Sequence, residues 1–144
     1  MAASQGIDTL LVTPGADLRY LTGYAALPLE RLTCLVLPAH GDPTLIVPAL
    51  EGPAASASGV DVEIATWGEL DDPFALVADL VGDAATIGLD DHMWASRVFA
   101  LREALPGAQQ VLAGSLVQQL RIRKDPEEVA ALRNAPQRRL YQIA

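Results

Sequence analysis

The sequence predicts an α/β domain, a mixed β-sheet of about six strands flanked by helices. Two patterns carry that expectation. Six apolar runs of strand length are separated by proline, glycine and aspartate turn signals, and from residue 60 onward the runs alternate with segments whose apolar residues repeat at helical spacing. With 144 residues, 51% apolar and 19% charged, the chain has the profile of one globular domain. A domain of this length buries roughly 70% of its unfolded surface and needs no metal or disulfide staple.

The first strand is expected over Ile7 to Val12, whose end Leu10-Leu11-Val12 is apolar throughout, as in a strand covered on both faces; Thr13-Pro14-Gly15 closes it. Leu32 to Leu37 is a second run, stopped by Pro38. His40-Gly41-Asp42-Pro43 turns it back into Thr44 to Val47, so the pair reads as an antiparallel hairpin. Asp61 to Thr66 alternates as V-E-I-A and predicts a strand with one exposed face. Pro73 opens a helix with Phe74, Val77, Leu80 and Val81 at helical spacing and Gly82 as terminator. Thr86 to Leu89 is a short buried strand. Ser96 is the expected cap of the next helix, with Val98, Phe99, Leu101 and Leu105 inward and Pro106-Gly107 ending it. Gln110 to Ala113 is the sixth strand, and a helix begins near Ser115 with Leu116, Val117 and Leu120. Asp125-Pro126-Glu127-Glu128 starts a last helix, with a capping carboxylate, proline at the first position and acids on the positive end of the dipole. The antiparallel beginning and the later helical crossovers together give the mixed sheet.

Charge excludes some functions. Residues 1–90 carry two cations against thirteen acids, and residues 91–144 eight cations against five acids, for a net charge of −8. Such a surface repels a phosphate backbone, and the cluster Arg121, Arg123, Lys124 is too short to offset it, so no nucleic-acid partner is expected. The longest stretch without charge, Ala104 to Leu120, is broken by Pro106, Gly107, four glutamines and Gly114, which excludes a membrane span there. The start of the chain lacks a basic region ahead of its apolar stretch and holds Asp8 inside it, so a cytoplasmic location is expected. Cys34, the single cysteine, sits in an apolar run and reads as a buried structural thiol.

No familiar catalytic constellation occurs. Neither a Walker sequence nor a dinucleotide glycine fingerprint follows any expected strand, and no serine sits in a G-x-S-x-G elbow. His40 falls in a hairpin turn. Asp90-Asp91-His92 follows a strand end, where α/β ligand sites often lie, although a cap with solvated acids is the plainer reading. Asp8, Glu51 and Asp90 would have to converge to hold magnesium for a nuclease, and an acidic surface would not retain that substrate. No metal or catalytic residue is therefore assigned.

Two stretches carry a resemblance. GIDTLLVTPGADLRYLTGY, residues 6–24, resembles the opening of the creatinase/prolidase/aminopeptidase P (Xaa-Pro peptidase) family, where a first strand leads to a short helix ending in a Y-L-T-G motif. Glu30-Arg31, LTCLVLP and GDPTLIVPALE continue the pattern in order, and LVQQLRIRKDPEEVAALRNA, residues 116–135, resembles the junction that leaves the amino-terminal domain. Gly23 would let the backbone turn after the helix, with Tyr20 and Leu21 as apolar anchors beneath it.

The resemblance implies a creatinase/prolidase N-terminal domain with a ribonuclease H-like layout over residues 1–121, a connector and first helix over 122–135, and a tail over 136–144 that departs from the family because Pro136 interrupts the helix. In this family two Asp, one His and two Glu hold a dinuclear divalent metal site, such as manganese, in a carboxy-terminal domain larger than the ten residues after Asn134 could supply. The expectation is a chain shortened naturally, by a frameshift or by design, without cofactor or peptidase activity of its own.

The family likeness further implies a homodimer in which this domain restricts access to the partner subunit's active site, with peptide substrate met only through the catalytic domain. The loop Gly23 to Arg31 is then the candidate segment, and Tyr24, Leu27 and Arg31 are the candidate contacts to the partner's substrate pocket. The plainer alternative has Tyr24 and Leu27 in core or dimer packing and Arg31 paired with Glu30 or another acid. A different class of function, a free-standing protein–protein interaction module that has lost the enzyme, is the second reading.

Overall fold

The computed structural model describes residues 6–122. Strands β1 (Thr9–Val12), β2 (Cys34–Pro38), β3 (Thr44–Pro48), β4 (Glu63–Trp67), β5 (Thr86–Leu89) and β6 (Gln109–Leu112) form one sheet in the order β4-β3-β2-β1-β5-β6. The pairs β1–β2 and β2–β3 are antiparallel, and β3–β4, β1–β5 and β5–β6 are parallel. The expected mixed sheet is therefore present, with the hairpin and all six strands displaced by at most two residues at an end. Helices α1 (Ala16–Thr22), α2 (Gly52–Ala57), α3 (Pro73–Val81), α4 (Ala95–Ala104) and α5 (Gly114–Ile122) connect the strands. The connector and helix expected beyond Ile122, including Asp125-Pro126, and the tail 136–144 lie outside the described residues.

Period-two alternation divides the core between the two faces of the sheet. Leu10, Val12, Leu35, Leu45 and Val47 meet Leu18 of α1, Ala55 of α2, and Leu116 and Val117 of α5. Leu11, Cys34, Val36, Ile46, Ile87 and Leu89 meet Val77 and Val81 of α3, Leu101 of α4 and Leu105, which follows α4. All four β1 residues are buried, which accounts for the unbroken apolar run in the sequence.

Local chemistry sets the helix ends. Asp72 caps α3 by accepting from Phe74 N–H at 2.9 Å and Ala75 N–H at 3.3 Å, Pro73 takes the first helical position, and Gly82 ends the helix at φ 59°. Gly23 ends α1 in the left-handed region at φ 76°, its N–H donating to Arg19 O.

Four expectations are corrected. Ser96 does not cap α4; Trp94 occupies that position without a side-chain bond to the helix. Phe99 is 60% exposed, because Val98, Leu101 and Leu105 form the inward stripe and Phe99 sits one residue off it, with the Arg102 guanidinium over its ring. β4 does not have one simple solvent face: Ile64 packs on one side of the sheet and Ala65 and Trp67 on the other. Tyr20 does not lie beneath α1 but is partly exposed, its hydroxyl donating to Leu120 O at 3.3 Å, and Leu18 is the buried anchor. The helix α2 had no apolar period to announce it, since GPAASA contains only small residues and proline.

Gly88 leaves room on β5 for Ala113, which precedes α5, and for Ile7 and Leu10. A Cβ there would stand 2.7 Å from Ala113 Cβ and 3.2 Å from both Ile7 Cγ2 and Leu10 Cδ1. Gly88→Val is accordingly expected to lower the stability by about 1–3 kcal/mol through overpacking, read as a lower urea midpoint with unchanged slope.

Candidate functional site

The parallel seam between β1 and β5 is a topological switch point, the place where open α/β sheets usually bind ligands at their carboxyl edge. Here that edge is filled by a structural carboxylate. Asp90 is buried, and its Oδ2 accepts from Thr13 N–H at 2.8 Å and Thr13 Oγ1 at 2.7 Å, while Oδ1 accepts from His92 N–H at 2.9 Å. Asp90 is thus not a solvated acid, as its place after a strand had suggested. Asp91 accepts from Gly114 N–H at 3.0 Å, at the start of α5, and a Cβ on Gly114 would collide with that carboxylate. The crevice beside Asp90, about 270 Å³, also contains His92 and the ion pair Asp17–Arg121 at 2.9 Å. Its acids already have partners.

At the opposite end of the seam Asp8 Oδ2 accepts from Ala85 N–H at 2.9 Å and Thr86 N–H at 2.8 Å. Asp8 and Asp90 therefore bracket the same strand pair from its two ends and do not converge with Glu51. Among the described residues no three His, Cys, Asp or Glu side chains come together as a metal cluster. No described helix is long and apolar enough to cross a membrane.

The stretch between α1 and β2, residues 24–33, has no regular secondary structure yet is held at many points. At its start Tyr24 is buried, its N–H donates to Thr22 Oγ1 at 3.1 Å, and its hydroxyl lies 3.5 Å from Glu51 Oε2. Burial, then the charge of Glu51 and its hydrogen bond, push the Tyr24 phenol up from its ordinary pKa. At its end Thr33 Oγ1 donates to the same Glu51 oxygen at 3.3 Å, and Trp67 Nε1–H donates to Leu32 O at 2.9 Å.

A further restraint comes from α4. Arg97 is only 4% exposed, and its guanidinium donates to Leu29 O and, at 3.5 Å, to Arg31 O. It also stacks over the Trp94 ring, 4.7 Å from the centroid. Burial lowers its pKa, with nearby Cys34 and Asp90 acting in the opposite direction. Cys34, fully buried below, is pushed up to about 12, first by burial and then by the Asp90 charge, against smaller lowering effects from the Val12 backbone and Arg97. The buried thiol read from the sequence is what the structure contains.

With both ends fixed, the middle of the loop projects. Leu27 is 67% exposed and, with Ala25 to Pro28, forms one wall of an open groove of about 720 Å³ whose other wall is Arg19, Tyr20 and Arg121. The three candidate contact residues therefore point to different places. Tyr24 belongs to the core, Leu27 lines the groove, and Arg31 forms a half-exposed ion pair with Glu69. Arg97 and Glu51, the residues that hold the loop, were not singled out as its partners by the sequence. Helical spacing offered one signal for Arg97, since it precedes Leu101 by four residues on the same face.

Comparison with known proteins agrees with this architecture. The family described as the Creatinase/Prolidase N-terminal domain matches residues 1–123. This chain belongs to that family. The probable dipeptidase PepE of Mycobacterium tuberculosis is 39% identical to this creatinase/prolidase N-terminal domain over 137 residues, which are 92% of the chain and 36% of the relative. The crystal structure of dipeptidase PepE from Mycobacterium ulcerans superposes with a TM-score of 0.79 at 43% identity, covering 91% of this chain and 36% of that one. The N-terminal domain of an X-Pro dipeptidase from Streptococcus pyogenes shares the fold, with a TM-score of 0.72 at 23% identity and coverage of 82% and 91%. The chain thus spans about a third of the length of the curated relatives it matches.

Two measurements check this account of the site. Arg97→Lys removes the planar group stacked on Trp94 and the Nη2 that donates to both Leu29 O and Arg31 O, so a loss of about 1–3 kcal/mol and faster amide exchange across residues 29–33 are expected. For Cys34 the thiol pKa rises from 9.0 to about 12 on folding. Its stabilising effect is complete below pH 9.0 and is lost as pH rises toward 12. Against Cys34→Ala as reference, wild-type stability should fall by roughly 1.4 kcal/mol per pH unit across that window.

Proposed function

We propose that this domain serves a dipeptidase as a non-catalytic wall, pairing subunits and restricting entry of peptides to the active site of a partner subunit. The observation that carries the reading is a loop fixed at both ends by the partly buried Glu51 and the buried Arg97, while its centre presents Leu27 to solvent. An exposed apolar residue on an immobilised loop binds with little loss of conformational entropy, which suits a barrier surface. Arg31 is kept beside Glu69, where it can exchange that carboxylate for a peptide carboxylate at small cost, because half-exposed ion pairs are weak.

The substrate class is a short peptide, by the names of the relatives: PepE is a probable dipeptidase, and a relative from Lactobacillus helveticus, 28% identical, is an Xaa-Pro dipeptidase. In this reading a divalent metal pair held beyond residues 6–122 would supply activation of water and polarisation of the scissile carbonyl, and none of residues 6–122 takes part in the chemistry.

The test is a chimera in which residues 1–122 replace the matched part of the mycobacterial dipeptidase. Leu27→Asp and Arg31→Ala in that chimera are expected to change the kcat/KM ratio between a dipeptide and a longer peptide by about threefold or more, with metal content unchanged. Identical ratios in the parent chimera and both variants would remove the barrier role. The isolated 144-residue chain is expected not to cleave an X-Pro dipeptide in the presence of manganese, and cleavage by a preparation free of host peptidases would refute it.

A further inference from the structure

The free edge of the sheet at β6 differs from the other edge. β4 carries Glu63 and follows Asp61, and charges of this kind guard an edge strand against pairing. β6 has no such guard. Its sequence is QQVL, and it lies within the run Ala104 to Leu120, which holds no charged residue in a chain of net charge −8. Leu112 is 74% exposed.

The hydrogen-bond pattern shows which groups are available. Gln109 N–H donates to Ala85 O and Ala113 N–H to Leu89 O, both at 2.8 Å, across the parallel ladder with β5. Successive residues of a strand turn their peptide groups to opposite sides, so Gln110 and Leu112 direct N–H and C=O outward from the sheet. Among the described residues no strand pairs with that side. Both polar atoms of the Gln110 side chain are covered and meet no partner among the described residues. A strand edge whose outward peptide groups meet no partner among the described residues, beside an exposed leucine and without a charged side chain, has the composition of an interface interior more than that of a finished surface.

The geometry points to the β6 edge as a self-association surface, with β6 of a second copy of this chain as its occupant. The inference rests on the subunit-pairing part of the function proposed above and names the surface that would do it. In an antiparallel arrangement with a two-fold axis at Val111, Gln110 of each copy stands opposite Leu112 of the other. The outward N–H and C=O groups of these residues are then exchanged, and each Leu112 is laid against a Gln110 stem. Two copies repel wherever carboxylates face each other, and the uncharged edge lets them approach with least repulsion. The product is a continuous sheet running through both copies.

Sedimentation equilibrium of the full 144-residue chain, with and without substitutions, tests the arrangement. Gln110→Pro removes an outward N–H without touching the β5 ladder, and Leu112→Asp sets like charges across the two-fold axis. Each is expected to raise the dimer dissociation constant about tenfold or more, with the native circular dichroism retained. Leu70→Asp, at a fully exposed leucine away from β6, is expected to leave the constant unchanged. If Gln110→Pro fails to fold, Leu112→Asp alone decides. A native chain that stays monomeric at the limit of its solubility would overturn both the edge proposal and the pairing part of the function. A dimer indifferent to both edge substitutions would overturn the edge alone and leave pairing through another surface.

Discussion

The pairing of β1 with β5 joins the two parts of this molecule. On one side lie β2, β3 and β4, begun by two antiparallel pairings; on the other lies β6, reached by parallel crossovers. Among the described residues the sheet joins them through the short seam Thr9↔Ile87, Leu10↔Gly88 and Leu11↔Leu89. So short a ladder gains from restraint at its ends. Asp8 binds the amides that lead into β5, and Asp90 binds the peptide and hydroxyl that follow β1. Each carboxylate accepts hydrogen bonds from neutral donors, which are stronger than neutral pairs and fix the orientation of both chain segments. Acids that in isolation suggest metal chemistry here serve strand registration.

Much of this was visible in the amino-acid sequence because it depends on neighbouring residues. The unbroken run Leu10-Leu11-Val12 marks a strand covered twice, Pro73 and Gly82 mark both ends of α3, and Gly23 marks the left-handed end of α1. What escaped depends on partners far along the chain. Asp90 finds Thr13 across 77 positions, and Arg97 finds Leu29 O across 68. A charged side chain after a strand or on a helix reads as solvated unless its distant acceptor is known. The helix α2 escaped for another reason: Ala55 and Gly52 bury little apolar area, and the helix fits because Gly52 lies 3.1 Å, by its potential Cβ, from Thr66 Cγ2.

The candidate site was legible in outline and not in detail. The loop between α1 and β2 could be picked out through the family resemblance, with Tyr24, Leu27 and Arg31 as its candidate contacts, but the roles of its residues separate only when the core is known. Tyr24 is drawn inward by the apolar cluster around Leu18 and Leu116, whereas Leu27 has no such cavity to enter. The arginine that matters most to the loop's shape is Arg97, outside it. Replacing several weak surface contacts with one buried guanidinium makes the loop's conformation a property of α4, and therefore of the opposite layer of the sandwich.

The last turn of α5 is tied to α1 by the ion pair of Arg121 with Asp17 and by the bond from the Tyr20 hydroxyl to Leu120 O. The polypeptide continuing past residue 122 consequently departs from a point anchored beside the groove wall. The exit point is therefore part of the groove itself, because Arg121, one residue before the end of α5, lines it together with Arg19 and Tyr20.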